Sequence, residues 1–84
     1  MMEKITEIIN EWDPIELFPM APKDEYIEEV KLIYEYLCAT PKIQNLQLAE
    51  KINGIFIKRF GCDVYVDDIN QCIIVADQII KCKL

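Results

Sequence analysis

The sequence predicts an all-α fold, a compact four-helix bundle-like domain with an ordered proline-rich segment between helices 1 and 2. Three observations carry this expectation. Apolar residues recur at the helical period in four stretches. Helix breakers separate those stretches: Pro14, Pro19 and Pro22, then Thr40-Pro41, then Gly61. The one β-favouring run, Cys62 to Val66, has no obvious strand partner in the chain, and a lone strand is not stable. Short connections favour antiparallel neighbours.

The first helix is expected from Met2 to Trp12, where Ile5, Ile8, Ile9 and Trp12 fall on one face. Pro14 ends it by pushing Asp13 out of helical geometry. From Asp13 to Lys23 the prolines exclude a helix. Yet Ile15, Leu17, Phe18 and Met20 are apolar, so this stretch is expected to lie extended and ordered across the helices and to close the core.

The second helix is expected from Asp24 to Cys38. Asp24, Glu25, Glu28 and Glu29 crowd its first turns, where the helix dipole favours acidic groups. Tyr26, Ile27, Val30, Ile33, Tyr34, Leu37 and Cys38 share one arc. Leu32 and Tyr36 form an i, i+4 pair on the opposite side, among the charges.

Thr40-Pro41 marks a break or a new helix start with Thr40 as cap, and Asn45 is a rival cap. The third helix then runs to Phe60. Its wide apolar arc (Leu46, Leu48, Ala49, Ile52, Ile55, Phe56, Ile57, Phe60) predicts a central place in the fold. Gly61 stands where a left-handed C-cap wants it. Cys62 to Val66 is expected either to be irregular or to pair with another molecule. The fourth helix starts near Asp67 or Asp68, and Asp68 with Gln71 resembles a capping box. Ile69, Cys72, Ile73, Ala76 and Ile80 form its core face, Ile74 and Val75 fall outside it, and Lys81 and Lys83 suit its C-terminal end.

The 84 residues allow one domain, 1–84, with a thin core. Marginal stability is expected unless a partner or a second copy adds buried surface. With 52% hydrophobic residues the chain is too apolar for disorder, and it shows no internal repeat. A net charge of −6 and a pI near 4.5 argue against binding nucleic acid or anionic membrane surfaces. A charged partner would be basic. No apolar run reaches the ~20 residues of a membrane span, and the N-terminus lacks the pattern of a secretion signal. The reading is a cytoplasmic protein. Cys38, Cys62, Cys72 and Cys82 are then reduced thiols, with Cys72 a small hydrophobe in the core.

The chain has no histidine. This removes Ser-His-Asp and Cys-His nucleophilic systems, the commonest metal ligand, and the usual near-neutral acid–base group. Both glycines are isolated, so no phosphate-cradling loop exists, and Arg59 is the only arginine. No cofactor is expected. Glu25, Glu28, Glu29 and Glu35 read as a solvated helix face, with Lys31 and Glu35 paired at i, i+4. Asp63, Asp67 and Asp68 offer oxygen ligands for a divalent cation, but their spacing matches no calcium loop and two of them already serve a helix start.

Trp12-Asp13-Pro14-Ile15 is the most distinctive segment. Trp12 either anchors the first helix while Asp13-Pro14 makes the turn, or forms a binding groove with Phe18 against the proline segment. Leu32 with Tyr36, and Ile74 with Val75, fall outside the core arcs and are candidates for one merged apolar patch, a homodimer being the commonest use. The candidate interaction surface is therefore Trp12, Phe18, Leu32, Tyr36 and Ile74. These features favour a protein-interaction module without catalytic activity. The alternative is a metal-dependent enzyme built on carboxylates or a thiol.

The stretch Glu11-Trp12-Asp13-Pro14-Ile15-Glu16-Leu17-Phe18-Pro19-Met20-Ala21-Pro22-Lys23-Asp24-Glu25-Tyr26 resembles the YugE-like family of small proteins from Bacillus and related bacteria. Leu48-Ala49-Glu50, Ile55-Phe56 and Phe60-Gly61 extend the resemblance through most of the chain. Glu16 departs from it, since that position is often glycine. The resemblance implies a small all-helical fold. It brings no activity, cofactor or catalytic residue.

Overall fold

The computed structural model describes residues 2–15, 25–61 and 63–83. It contains four helices: α1 (Met2–Trp12), α2 (Ile27–Ala39), α3 (Asn45–Phe60) and α4 (Ile69–Lys83). They pack as a ring in which α1 meets α2, α2 meets α3, α3 meets α4 and α4 returns to α1. The diagonal pairs do not pack backbone to backbone among the described residues. The all-α expectation holds, but α3 is not central. It is one corner of the ring and packs most extensively on α4.

The core runs through the middle of the ring. Ile5 and Ile9 of α1, Val30, Ile33 and Leu37 of α2, Leu48, Ala49, Ile52, Ile55 and Phe56 of α3, and Cys72, Val75, Ala76 and Ile79 of α4 are buried. Tyr26 and Tyr65 join them from the connections. Val75, placed outside the core arc by periodicity, is buried, and so is Ile79. The reason is the ring: α4 has neighbours on two sides, so its buried arc is wider than a single stripe. Leu46 is the opposite case, half-exposed at the start of α3 although the arc included it.

Helix ends follow local chemistry with small shifts. The Asp13 N–H bonds Ile9 O at 2.8 Å, and Asp13 adopts φ of 46°. A short polar side chain tolerates that left-handed position, and Pro14 forbids the α-helical alternative. The Tyr26 hydroxyl donates to Asp13 Oδ1 at 2.6 Å, joining the end of α1 to the start of α2. Tyr26 precedes α2, so this helix begins three residues later than the acidic run suggested. Thr40-Pro41 is a break, and α3 is capped by Gln44 rather than by Thr40 or Asn45, in a capping box with Gln47. Gly61, at φ of 79°, ends α3 with its N–H on Ile57 O. Asp68 Oδ1 accepts the Gln71 N–H at 3.1 Å, the cap expected for α4. The side chains of 16–24 and 62 lie outside the described residues, including Phe18 and the proposed course of the proline segment.

Candidate protein interface on the third and fourth helices

Trp12 settles into the interior. Its ring meets Phe56 edge-on at 5.4 Å and Tyr65 at 6.2 Å. Phe56 also stacks on Tyr65 at 5.6 Å and on Phe60 at 5.7 Å. Half-buried Trp12 thus reaches across the ring diagonal from α1 to α3, and acts as an anchor. A groove shared with Phe18 falls outside the described residues.

The α2–α3 seam is closed by charge. Glu29, read from sequence as part of a solvated face, is only 2% exposed. Its Oε2 accepts from Arg59 Nε at 3.0 Å, while its Oε1 is buried without a hydrogen-bond partner. Burial raises the Glu29 pKa, and the Arg59 charge only partly opposes that. Two turns along, Tyr36 is half-buried against the core with Lys51 Nζ 5.2 Å from its ring centroid, a cation–π contact. Tyr36 is therefore not on an outward face, and Leu32 beside it is left as the exposed apolar residue of α2. Lys31 pairs with Glu28 at 3.9 Å rather than with Glu35.

The α3–α4 seam is closed by amides. Asn53 Nδ2 donates to Asp67 Oδ1 at 2.7 Å, and Asn45 Nδ2 donates to Asp77 Oδ1 at 3.0 Å. Among the described residues neither aspartate has a cation within 4.0 Å, so what holds them there is hydrogen bonding. Asn53 Oδ1 accepts from the Tyr65 hydroxyl at 2.7 Å, and that hydroxyl lies 3.2 Å from Cys72 Sγ. Burial is the main cause that raises the pKa of both Tyr65 and Cys72, with the aspartates adding to it. Cys72 is thus held as a neutral thiol at neutral pH, the opposite of an activated nucleophile.

Exposed large apolar side chains concentrate on this second seam. Leu46 is 50% exposed on α3 and Ile74 52% on α4, with Val64 and Val66 exposed in the connection between them. Leu46 follows Asn45 on α3 and Ile74 precedes Asp77 by one turn on α4, and Asn45 and Asp77 bond across the seam. Glu50 and Gly54 continue the same ridge of α3, both exposed.

The residues singled out from sequence do not merge into one patch. Leu32 and Tyr36 stand on α2 and Ile74 on α4, diagonal corners of the ring. Val75 is core. Val64 to Val66 is irregular: Asp63 and Val64 turn, with the Val64 and Tyr65 N–H groups both on Gly61 O, and Tyr65 is the buried anchor. The contribution of α3 to the surface escaped the sequence reading, since Leu46 was counted with the core. Its place near the cap, ahead of the first fully buried residue Leu48, was the available signal.

Among the described residues, no three Cys, Asp or Glu side chains are placed to hold a metal ion together. No described helix is long and apolar enough to cross a membrane. No protein-family model, curated protein or solved structure matches the chain.

Proposed function

We propose that this chain is a non-catalytic protein-interaction module that meets a basic protein partner through the outward face of α3 and α4. The carrying observation is that α3 and α4 carry exposed Leu46 and Ile74 together with Asp77, with Asp67 in the connection between them, and that among the described residues neither aspartate has a cation within 4.0 Å. Apolar side chains rimmed by unmatched charge suit an oppositely charged partner, and the overall charge of −6 would speed the encounter. The resemblance to YugE-like proteins is compatible with this reading, and so is a cytoplasmic setting, where free thiols such as exposed Cys38 and Cys82 persist.

The test is differential recovery of partners from the source cytoplasm. Wild type is compared with the Leu46→Glu/Ile74→Glu double variant and with Leu32→Glu. A basic protein retained by wild type and by Leu32→Glu, but lost by the double variant, supports the reading. Partners that ignore the double variant remove it. Light scattering on the same samples shows whether the partner is a second copy.

A further inference from the structure

We infer that residues 63–67, in the connection from α3 to α4, form a strap that lifts as a unit while the helices stay packed, and that its lifting uncovers the thiol of Cys72. The inference is independent of which face meets a partner. Within 63–67 only Tyr65 is buried, and the other four residues are exposed. Tyr65 is 1% exposed, while Val64 and Val66 beside it are 54% and 77% exposed. The backbone is held as lightly. Among the described residues its backbone bonds are those of the Val64 and Tyr65 N–H groups, and both go to Gly61 O at the root of the strap. A segment with one buried side chain and few backbone bonds opens at a lower cost than the fold as a whole.

Both helices keep their ends when the strap lifts. The Gly61 N–H closes α3 on Ile57 O at 2.8 Å, and the φ of 79° at Gly61 turns the chain away from the helix. Asp68 starts α4, its Oδ1 accepting the Gln71 N–H at 3.1 Å and its carbonyl accepting the Cys72 N–H at 3.1 Å. Neither cap uses an atom of 63–67. What pins the strap is side chains. The Tyr65 ring stacks on Phe56 at 5.6 Å and meets Trp12 edge-on at 6.2 Å. Its hydroxyl donates to Asn53 Oδ1 at 2.7 Å and lies 3.2 Å from Cys72 Sγ. Asp67 adds a bond from Asn53 Nδ2 at 2.7 Å, an exposed bond for which water competes. Cys72 is fully buried with Tyr65 directly against it, so the thiol loses its cover when that ring leaves.

The experiment follows alkylation of each cysteine by iodoacetamide over a urea series, read by peptide mass mapping. The Cys62→Ser chain is used so that no label lands beside the strap. Exposed Cys38 and Cys82 are the internal references. The expected result is a Cys72 rate far below theirs that does not change with urea until the fold itself melts. Ile33→Val alters a buried residue of α2, which does not pack on α4. It should lower the urea midpoint and leave the Cys72 rate in dilute urea unchanged. Tyr65→Phe keeps the ring, removes the hydroxyl bonds and should raise that rate by about three- to tenfold. A Cys72 rate that climbs with urea from the start, and quickens in Ile33→Val in step with the lost stability, overturns the inference, because the thiol then emerges only on global unfolding. Alkylation of Cys72 as fast as Cys38 also overturns it, since the strap would not cover the thiol. So does an unchanged rate in Tyr65→Phe, since Tyr65 would not be the pin.

Discussion

On the side where α3 meets α2 it carries Lys51 and Arg59, and on the side where it meets α4 it carries Asn45 and Asn53. Both sides hold their neighbour through polar contacts spaced along the helix. The difference lies in what remains afterwards. Lys51 and Arg59 place positive charge against Tyr36 and Glu29, so the first seam closes on itself. Asn45 and Asn53 supply hydrogen bonds but no charge, so the second seam leaves Asp77 and Asp67 without a cation among the described residues. A helix pair can be structurally satisfied and still be electrostatically unfinished, and the unfinished pair is also where Leu46 and Ile74 are exposed.

The largest expected effect strikes both seams at once. Phe56→Ala empties the ring position against which Trp12, Tyr26, Phe60 and Tyr65 all pack. Such a truncation costs about 3–5 kcal/mol, a large part of the roughly 0.1 kcal/mol per residue that holds a domain together. Urea melts of the variant would show it largely unfolded.

Arg59→Met breaks only the α2–α3 seam, leaving the Glu29 carboxylate buried without its cation. We expect a loss of about 2–3 kcal/mol near neutral pH, less than for a fully buried pair because the Arg59 side chain is 44% exposed. The pH dependence has a definite sign. Glu29 has a folded pKa above its ordinary 4.5, so the folded state holds the proton more tightly than the unfolded one. Its contribution is complete below that ordinary value and is lost as pH rises through the raised one. Glu29→Gln should flatten this segment of the stability profile. Equal slopes for wild type and variant over the range above 4.5 would show that Glu29 is not protonated there.

Asn53→Ala addresses the α3–α4 seam. It removes the acceptor for Tyr65 and the donor for Asp67, an expected loss of about 1–2 kcal/mol. A larger loss than that of Arg59→Met would reverse the ranking of the two seams. Smallest of all, Ile74→Glu should alter stability by no more than about 0.5 kcal/mol, since the side chain is half in water. A drop comparable to that of Asn53→Ala would mean that Ile74 belongs to the fold rather than to an interface.

Much of this was legible in the sequence, for physical reasons that also explain the gaps. The limits of α1 and the end of α3 agree with the expected residues because Pro14 and Gly61 act locally. The late start of α2 depends on Tyr26 reaching back thirteen positions to Asp13, which no local rule contains. Glu29 is the clearest failure. On a helix rich in carboxylates one more reads as solvated, and only the arrival of Arg59 from thirty residues away makes its burial tolerable. Cys72 and the Asp68 cap were readable because a period and a single hydrogen bond decide them. The surface was read least well. Exposure of Leu46 and coverage of Tyr36 follow from which helices are neighbours in the ring, and periodicity is silent on that.

Trp12 is the only tryptophan in the chain. Its ring lies edge-on to Phe56 and Tyr65, and through Phe56 it couples the otherwise separated helices α1 and α3. The protein therefore carries its own optical reporter. Near-ultraviolet excitation of this one indole reads the closing of the ring across its diagonal, and tyrosines close to it serve as energy donors whose transfer disappears once the helices part. The assembly of four helices can be followed in real time without attaching a label or altering a residue.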